Sequence, residues 1–271
     1  MAKINENDRR KYSDKIKTYS ITADSLLKLE KKLLAEIKQA PNDAPMKRLT
    51  LVDEMLNLAS NYIAINGISQ SVLKIKNLDA LNDGRKSLYK SVIYLEEIVS
   101  DLLDVPFSEY EEKLIKIETV KASTRFLLAR KMGLAIELLE NAYGDNTKWK
   151  WAFVELEGRY AVVVKNIIDM RNAVANKDPR SPNYEPTMYH LKLVKRLFQQ
   201  AADRYREKYE LSTSRIGDFK MGITFLSALR RFNTLLNERE EAEAAKKKLE
   251  IWSTKLENDL RKAEESGSKK V

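Results

Sequence analysis

Few residues in this sequence are of a type and spacing that could do chemistry. His190 is the sole histidine in 271 residues, and there is no cysteine. Disulfides, zinc–thiolate sites, iron–sulfur clusters and a cysteine nucleophile are thereby excluded. A di-iron bundle needs Glu-x-x-His on two helices, and one histidine does not supply it. His190 precedes Leu191 at the start of a helical pattern, and the expected reading is structural, a partly exposed helix residue. The carboxylate pairs Glu96/Glu97, Glu109/Glu112 and Glu238/Glu241 could in principle share a metal or a proton, yet each lies among lysines on a face that reads as solvated. There is no G-x-G-x-x-G, no P-loop and no G-x-S-x-G, and the background lacks the strand-to-helix turns those motifs require. The expectation is a protein with no catalytic residue, no cofactor and no metal.

Charge carries more information because it is uneven. The formal net charge is +9, and the stretch 187–237 alone has ten Lys or Arg against four Asp or Glu. Its cations Lys195, Arg196, Arg204, Arg206, Lys208, Arg215, Lys220, Arg230 and Arg231 are the candidate contacts for phosphates or an acidic partner surface. Tyr205 and Tyr209 are interleaved with them and could stack on bases, although Tyr205 also belongs to an apolar stripe.

The elements that must position these residues read as helices throughout. With only 8 Gly and 6 Pro, breakers are scarce and gather at junctions. From Thr147 to Val174, apolar residues recur at Trp149, Phe153, Leu156, Tyr160, Val163, Ile167, Met170 and Val174, one continuous face of a helix. Trp151, Val154, Ala161 and Ile168 line a second face, so this helix is expected inside a bundle. Gly158, mid-helix, suggests that another backbone passes close. Upstream, the pattern predicts helices over about Asp8–Gln39, from Met46 to Asn66-Gly67, from Ser69 to the Asn82-Asp83-Gly84 turn, and from Arg85 to Leu103, closed by Pro106. The S-x-x-E pair Ser108/Glu111 is expected to cap one long helix reaching Tyr143. Asp145-Asn146-Thr147 would then cap the Thr147–Val174 helix.

The loop 177–186 holds half of the prolines and marks the expected boundary between an N-terminal bundle, 1–176, and a C-terminal helical region, 187–265, which could also pack with the first. Within the latter, Ala242, Ala245, Leu249, Trp252 and Leu256 keep heptad spacing, and Leu249, Trp252 and Leu256 are the candidate helix-pairing residues. Pairing would be with the same chain or with a second copy, and contact should fade after Leu256 because Asp259 falls on the next seam position. Residues 266–271 read as a disordered tail.

The fold expected is all-α, an elongated bundle of six to eight helices, several of them long, with a heptad-bearing C-terminal helix. No run reaches the roughly 20 apolar residues of a membrane span, and the start MAKINENDRRKYSDK has no apolar leader core. The expected address is the cytoplasm, although a mature exported form would look the same. The function expected is a non-enzymatic helical scaffold or adaptor that mediates protein–protein interactions in a macromolecular assembly, its partner being another protein or a second copy met through the C-terminal helix. The alternative is binding of nucleic acid or another polyanion through 187–237.

Overall fold

In the computed structural model, which describes residues 5–144 and 149–268 (side chains to 262), the chain is all-helical, a multi-helix bundle protein with no strand among the described residues. In order the α-helices are α1 (Glu6–Gln39), α2 (Ala44–Leu73), α3 (Leu78–Ile98), α4 (Glu111–Ile115), α5 (Ala122–Tyr143), α6 (Lys150–Asn166), α7 (Met170–Ala175), α8 (Tyr184–Lys208), α9 (Ile216–Leu235) and α10 (Arg239–Ser268). Two compact units are formed. One comprises 1–100 with 113–150, and the other 101–112 with 151–271. No described helix is long and apolar enough to cross a membrane.

In the first unit α2 is the buried centre, with Leu51, Val52, Met55, Leu56 and Ala59 wholly enclosed. Helix α1 lies on it and starts at Asn5, whose side chain accepts from the Asp8 N–H at 2.7 Å. A polar clamp joins α1 to α3, where buried Glu30 accepts from Tyr94 Oη at 2.6 Å and Lys90 Nζ at 2.8 Å. Two expected turns are absent. Helix α2 runs through Asn66-Gly67 to Leu73, because Asn66 spends its side chain on the Asn77 N–H, 2.9 Å away, in the real turn that follows. Nor is Asn82-Asp83-Gly84 a turn. Gly84 sits inside α3, where a Cβ would stand 3.3 Å from Leu139 Cδ1 and 3.6 Å from the Ala59 carbonyl, so the glycine serves close helix packing.

Two helix ends also differ from expectation. Helix α3 stops at Ile98, well before Pro106. The single long helix from Ser108 to Tyr143 is instead a 3-10 turn at Phe107–Glu109, the short α4, and α5. Ser108 lies within that 3-10 turn rather than at a cap. Arg125, buried in the first turn of α5, donates to the Ile117 carbonyl at 2.7 Å and the Val120 carbonyl at 3.0 Å, which stabilises the bend between them.

In the second unit α6 is the enclosed element. Phe153, Leu156, Tyr160, Val163, Ile167 and Met170 are all buried, as are Val154, Ala161 and Ile168 on the second face. Val174 is not, with 51% of its surface exposed. The helix ends at Asn166, and Asp169 starts α7 by accepting from the Arg171 and Asn172 N–H groups, which resets the phase before Val174. The proposed cap Asp145-Asn146-Thr147 lies outside the described residues.

Gly158 meets a side chain rather than a backbone, since a Cβ there would stand 2.9 Å from Tyr205 Cε2. The close backbone approach is at Gly222 of α9, where a Cβ would lie 3.0 Å from the Ala202 carbonyl of α8. An aromatic core fills this crossing, with Phe198 against Phe225 at 5.8 Å and Tyr205 stacked on Phe225 at 5.7 Å. The proline-bearing loop 177–186 lies inside this unit. Lys177 ties it down by donating to the Leu236 carbonyl at the end of α9, 2.7 Å away. Helix α10 continues to Ser268, and the rest of the expected disordered tail, 269–271, lies outside the described residues.

Candidate functional site

His190 is buried rather than partly exposed, and its Nε2–H donates to the Val164 carbonyl at 3.0 Å. Val164 lies in the last turn of α6, where carbonyls lack an intrahelical partner, so the histidine satisfies a helix end. One carboxylate from each of two of the pairs is likewise spent on a cation. Glu97 pairs with Arg48, and Glu238 takes Lys195 at 2.7 Å.

That last pair belongs to the basic segment, where local carboxylates occupy five of the nine candidate cations. Besides Lys195, Arg204 meets Glu157 at 3.0 Å, Arg206 meets Glu210 at 3.0 Å, Lys208 meets Asp218 at 2.8 Å and Arg231 meets Asp104 at 2.7 Å. Arg196, Arg215, Lys220 and Arg230 are exposed and make no ion pair among the described residues. Tyr205 is buried on Phe225 and offers no face for a base, whereas half-buried Tyr209 has one face stacked on Phe219 at 5.0 Å.

The heptad seam of α10 faces α9 of the same chain. Ala242, Ala245 and Trp252 are buried, with Leu249 and Leu256 half-buried beside them. The Trp252 ring lies 5.7 Å from Phe219, with Arg206 at 5.2 Å and Lys248 at 4.9 Å from its centroid. Cations over an indole face add to its burial. The seam does not fade after Leu256, because Asp259 accepts from Tyr209 Oη at 2.9 Å and turns the next position into a polar contact. Tyr209 opens the π-helical turn Tyr209–Thr213, which re-aims the chain between α8 and α9.

Two further features carry no motif in the sequence. One is the outer face of α5, where Leu127, Leu134 and Leu138 are 58%, 57% and 45% exposed. Their spacing is that of a heptad seam, with Lys131 filling the position between and donating to Asp53 at 2.6 Å and Asn57 at 2.8 Å. The row is one residue wide and faces solvent.

The other is Lys165, in the last turn of α6, only 6% exposed. Its ammonium lies 4.6 Å above the Tyr110 ring and 3.5 Å from Tyr110 Oη, a long contact. Burial pushes its pKa down to about 8, opposed by the charge of Asp104 and assisted by that of Arg231. Burial also raises the Tyr110 phenol, which therefore stays protonated. The amine borders a small cleft that includes Asp104, Phe107, Tyr110, Met170, Arg231 and Phe232 in its walls. In the sequence the only trace of this site is one lysine interrupting the apolar run from Ala161 to Ile168.

A model of the TP0443 family matches residues 8–260. No curated protein and no solved structure matches the chain.

Proposed function

The chain belongs to the TP0443 family, and from that premise we propose that it is a non-enzymatic helical scaffold or adaptor in a macromolecular assembly, receiving an amphipathic helix of a partner protein along α5. The observation that carries this reading is the exposed row Leu127, Leu134 and Leu138. Fully burying a leucine is worth about 1.5–3 kcal/mol, and about half of that remains to be gained at each of these half-covered side chains, so the three together are a standing cost to the isolated chain. The strip's width and 3.5-residue period match the complement that a second helix presents, with knobs entering between successive turns. Lys131 supports that fit because its charge is already engaged by Asp53 and Asn57, and its stem completes the row.

Photo-crosslinking from position 134 of the full chain, with the captured segment mapped, tests the reading. The expected product is a helical segment of a different protein, lost when Leu127 and Leu138 become Ser while the circular dichroism stays unchanged. Capture of a second copy of the chain makes the strip a self-association surface instead. Absence of any product, or a defined small-molecule turnover by the purified chain, overturns the scaffold reading.

The polyanion alternative rests on Arg196, Arg215, Lys220 and Arg230, the candidate cations exposed without an ion pair. Nucleic-acid binding through them would fall steeply with added salt, whereas the leucine contact would not.

A further inference from the structure

The cleft beside Lys165 combines features that the scaffold reading does not use. Its charged groups are Lys165, Asp104 and Arg231. Asp104 is already satisfied, accepting from Ser227 Oγ at 2.6 Å and Arg231 Nε at 2.7 Å. Lys165 is buried with three donors and one distant acceptor. The site therefore carries one excess positive charge with no counterion at ion-pair distance among the described residues. A buried ammonium in that state is costly, and an anion that enters the cleft relieves the cost.

We propose that this cleft, formed by the 101–112 segment with α6, α7, α8 and α9, binds a small organic monocarboxylate, its carboxylate on Lys165 Nζ and its few carbons against Phe107, Met170 and Phe232. Charge sets the valence, since one surplus positive charge suits a monoanion. Size follows from the cleft, which is partly open to solvent and leaves only about 20 Å³ for the centre of a water-sized body, so the ligand is limited to a few heavy atoms with its short tail toward the mouth. The walls set its organic character, because apart from the three charged groups and the Tyr110 hydroxyl they are apolar or aromatic. Tyr110, kept protonated by burial, is a second donor at the carboxylate.

The groups facing the amine are Tyr110, Asp104 and Arg231, and burial, which lowers the Lys165 pKa to about 8, brings the titration of this amine close to neutral pH. Binding should therefore be linked to a proton. Acetate and propionate serve as probes of the full chain carrying 13C-labelled lysine, followed by NMR against pH at matched ionic strength. One lysine signal should titrate near the pKa of about 8, vanish in Lys165→Met, and shift its midpoint upward when propionate is added. Apparent affinity should fall about tenfold for each pH unit above that midpoint. Arg231→Gln, at the exposed mouth, should weaken binding severalfold with the fold intact. A midpoint that propionate leaves unmoved overturns the proposal, as does equal movement by chloride or inorganic phosphate, which would make the site a general anion trap.

Discussion

Lys165 is a charge held almost entirely out of water, and its cost has a direction in pH. Its folded-state pKa, about 8, lies below the ordinary 10.5, so between those values the unfolded chain holds more protons than the folded one. Stability contributed by this group therefore rises as pH climbs through that window, and at neutral pH the lysine is a net burden. Lys165→Met should stabilise the chain at pH 7 by about 1–3 kcal/mol, with the gain shrinking toward pH 10, as read from urea melts at several pH values. A loss of stability at pH 7 would mean that Tyr110 and the cleft compensate the charge fully. His190 makes the opposite case, a titratable ring whose burial is compensated by one carbonyl. Its structural role was readable from its isolation among possible ligands. Its burial was not, because the partner is a backbone group of α6 that no side-chain pattern announces.

At the scale of elements, the spacing of apolar residues along α6 identified its core face from Phe153 to Met170, whereas Trp149 and Trp151 are only half-buried, and the failure at Val174 has a local cause in the Asp169 cap. Leu156→Ala or Ile167→Ala should cost roughly 2–5 kcal/mol, and Val174→Ala less than about 0.5 kcal/mol, by chemical denaturation. The glycines were harder to read. Gly67 and Gly84 look like stops in a propensity argument, yet both lie inside helices, Gly84 because Leu139 and Ala59 crowd it. Gly222 carries a tight backbone contact, 3.0 Å from a built Cβ to the Ala202 carbonyl. Alanine there should gain about 1 kcal/mol of helix propensity and still destabilise, by about 1–3 kcal/mol net, because the Ala202 carbonyl belongs to a helix backbone and has little room to retreat. In α10 the seam was legible from its heptads, whereas the hydrogen bond that extends it to Asp259 was not, since it depends on where the π-turn leaves Tyr209. Trp252→Ala should cost roughly 3–5 kcal/mol and Leu256→Ala distinctly less, in keeping with their burial.

For the whole molecule, the helical class was fixed by composition and periodicity, while the partition of the chain was not visible in them. Prolines point to 177–186, yet that loop is internal to the second unit, and the chain changes unit near Ser100, Glu112 and Lys150 instead. Proline marks where a helix must stop, and a stop is not a boundary when the next helix packs back on the same core. The folding back of α10 has a hydrodynamic consequence. A chain ended at Asn237 should sediment with the same subunit number as the full chain but unfold at lower denaturant, and a change from dimer to monomer would assign the seam to pairing between copies instead.

The segment 101–112 is made early and used late. Asp104 is anchored by Ser227 and Arg231, residues separated from it by 123 and 127 positions. On the ribosome, at about 5–20 residues per second, Asp104 emerges roughly 6–25 s before its partners do. During that interval Leu103, Val105 and Phe107 lack the α9 side of the cleft they line. A nascent chain arrested before α9 should therefore expose this short apolar stretch to chaperones or proteases, and one arrested after α9 has cleared the exit tunnel should protect it. Synthesis, more than the finished fold, sets the moment at which this protein is most vulnerable.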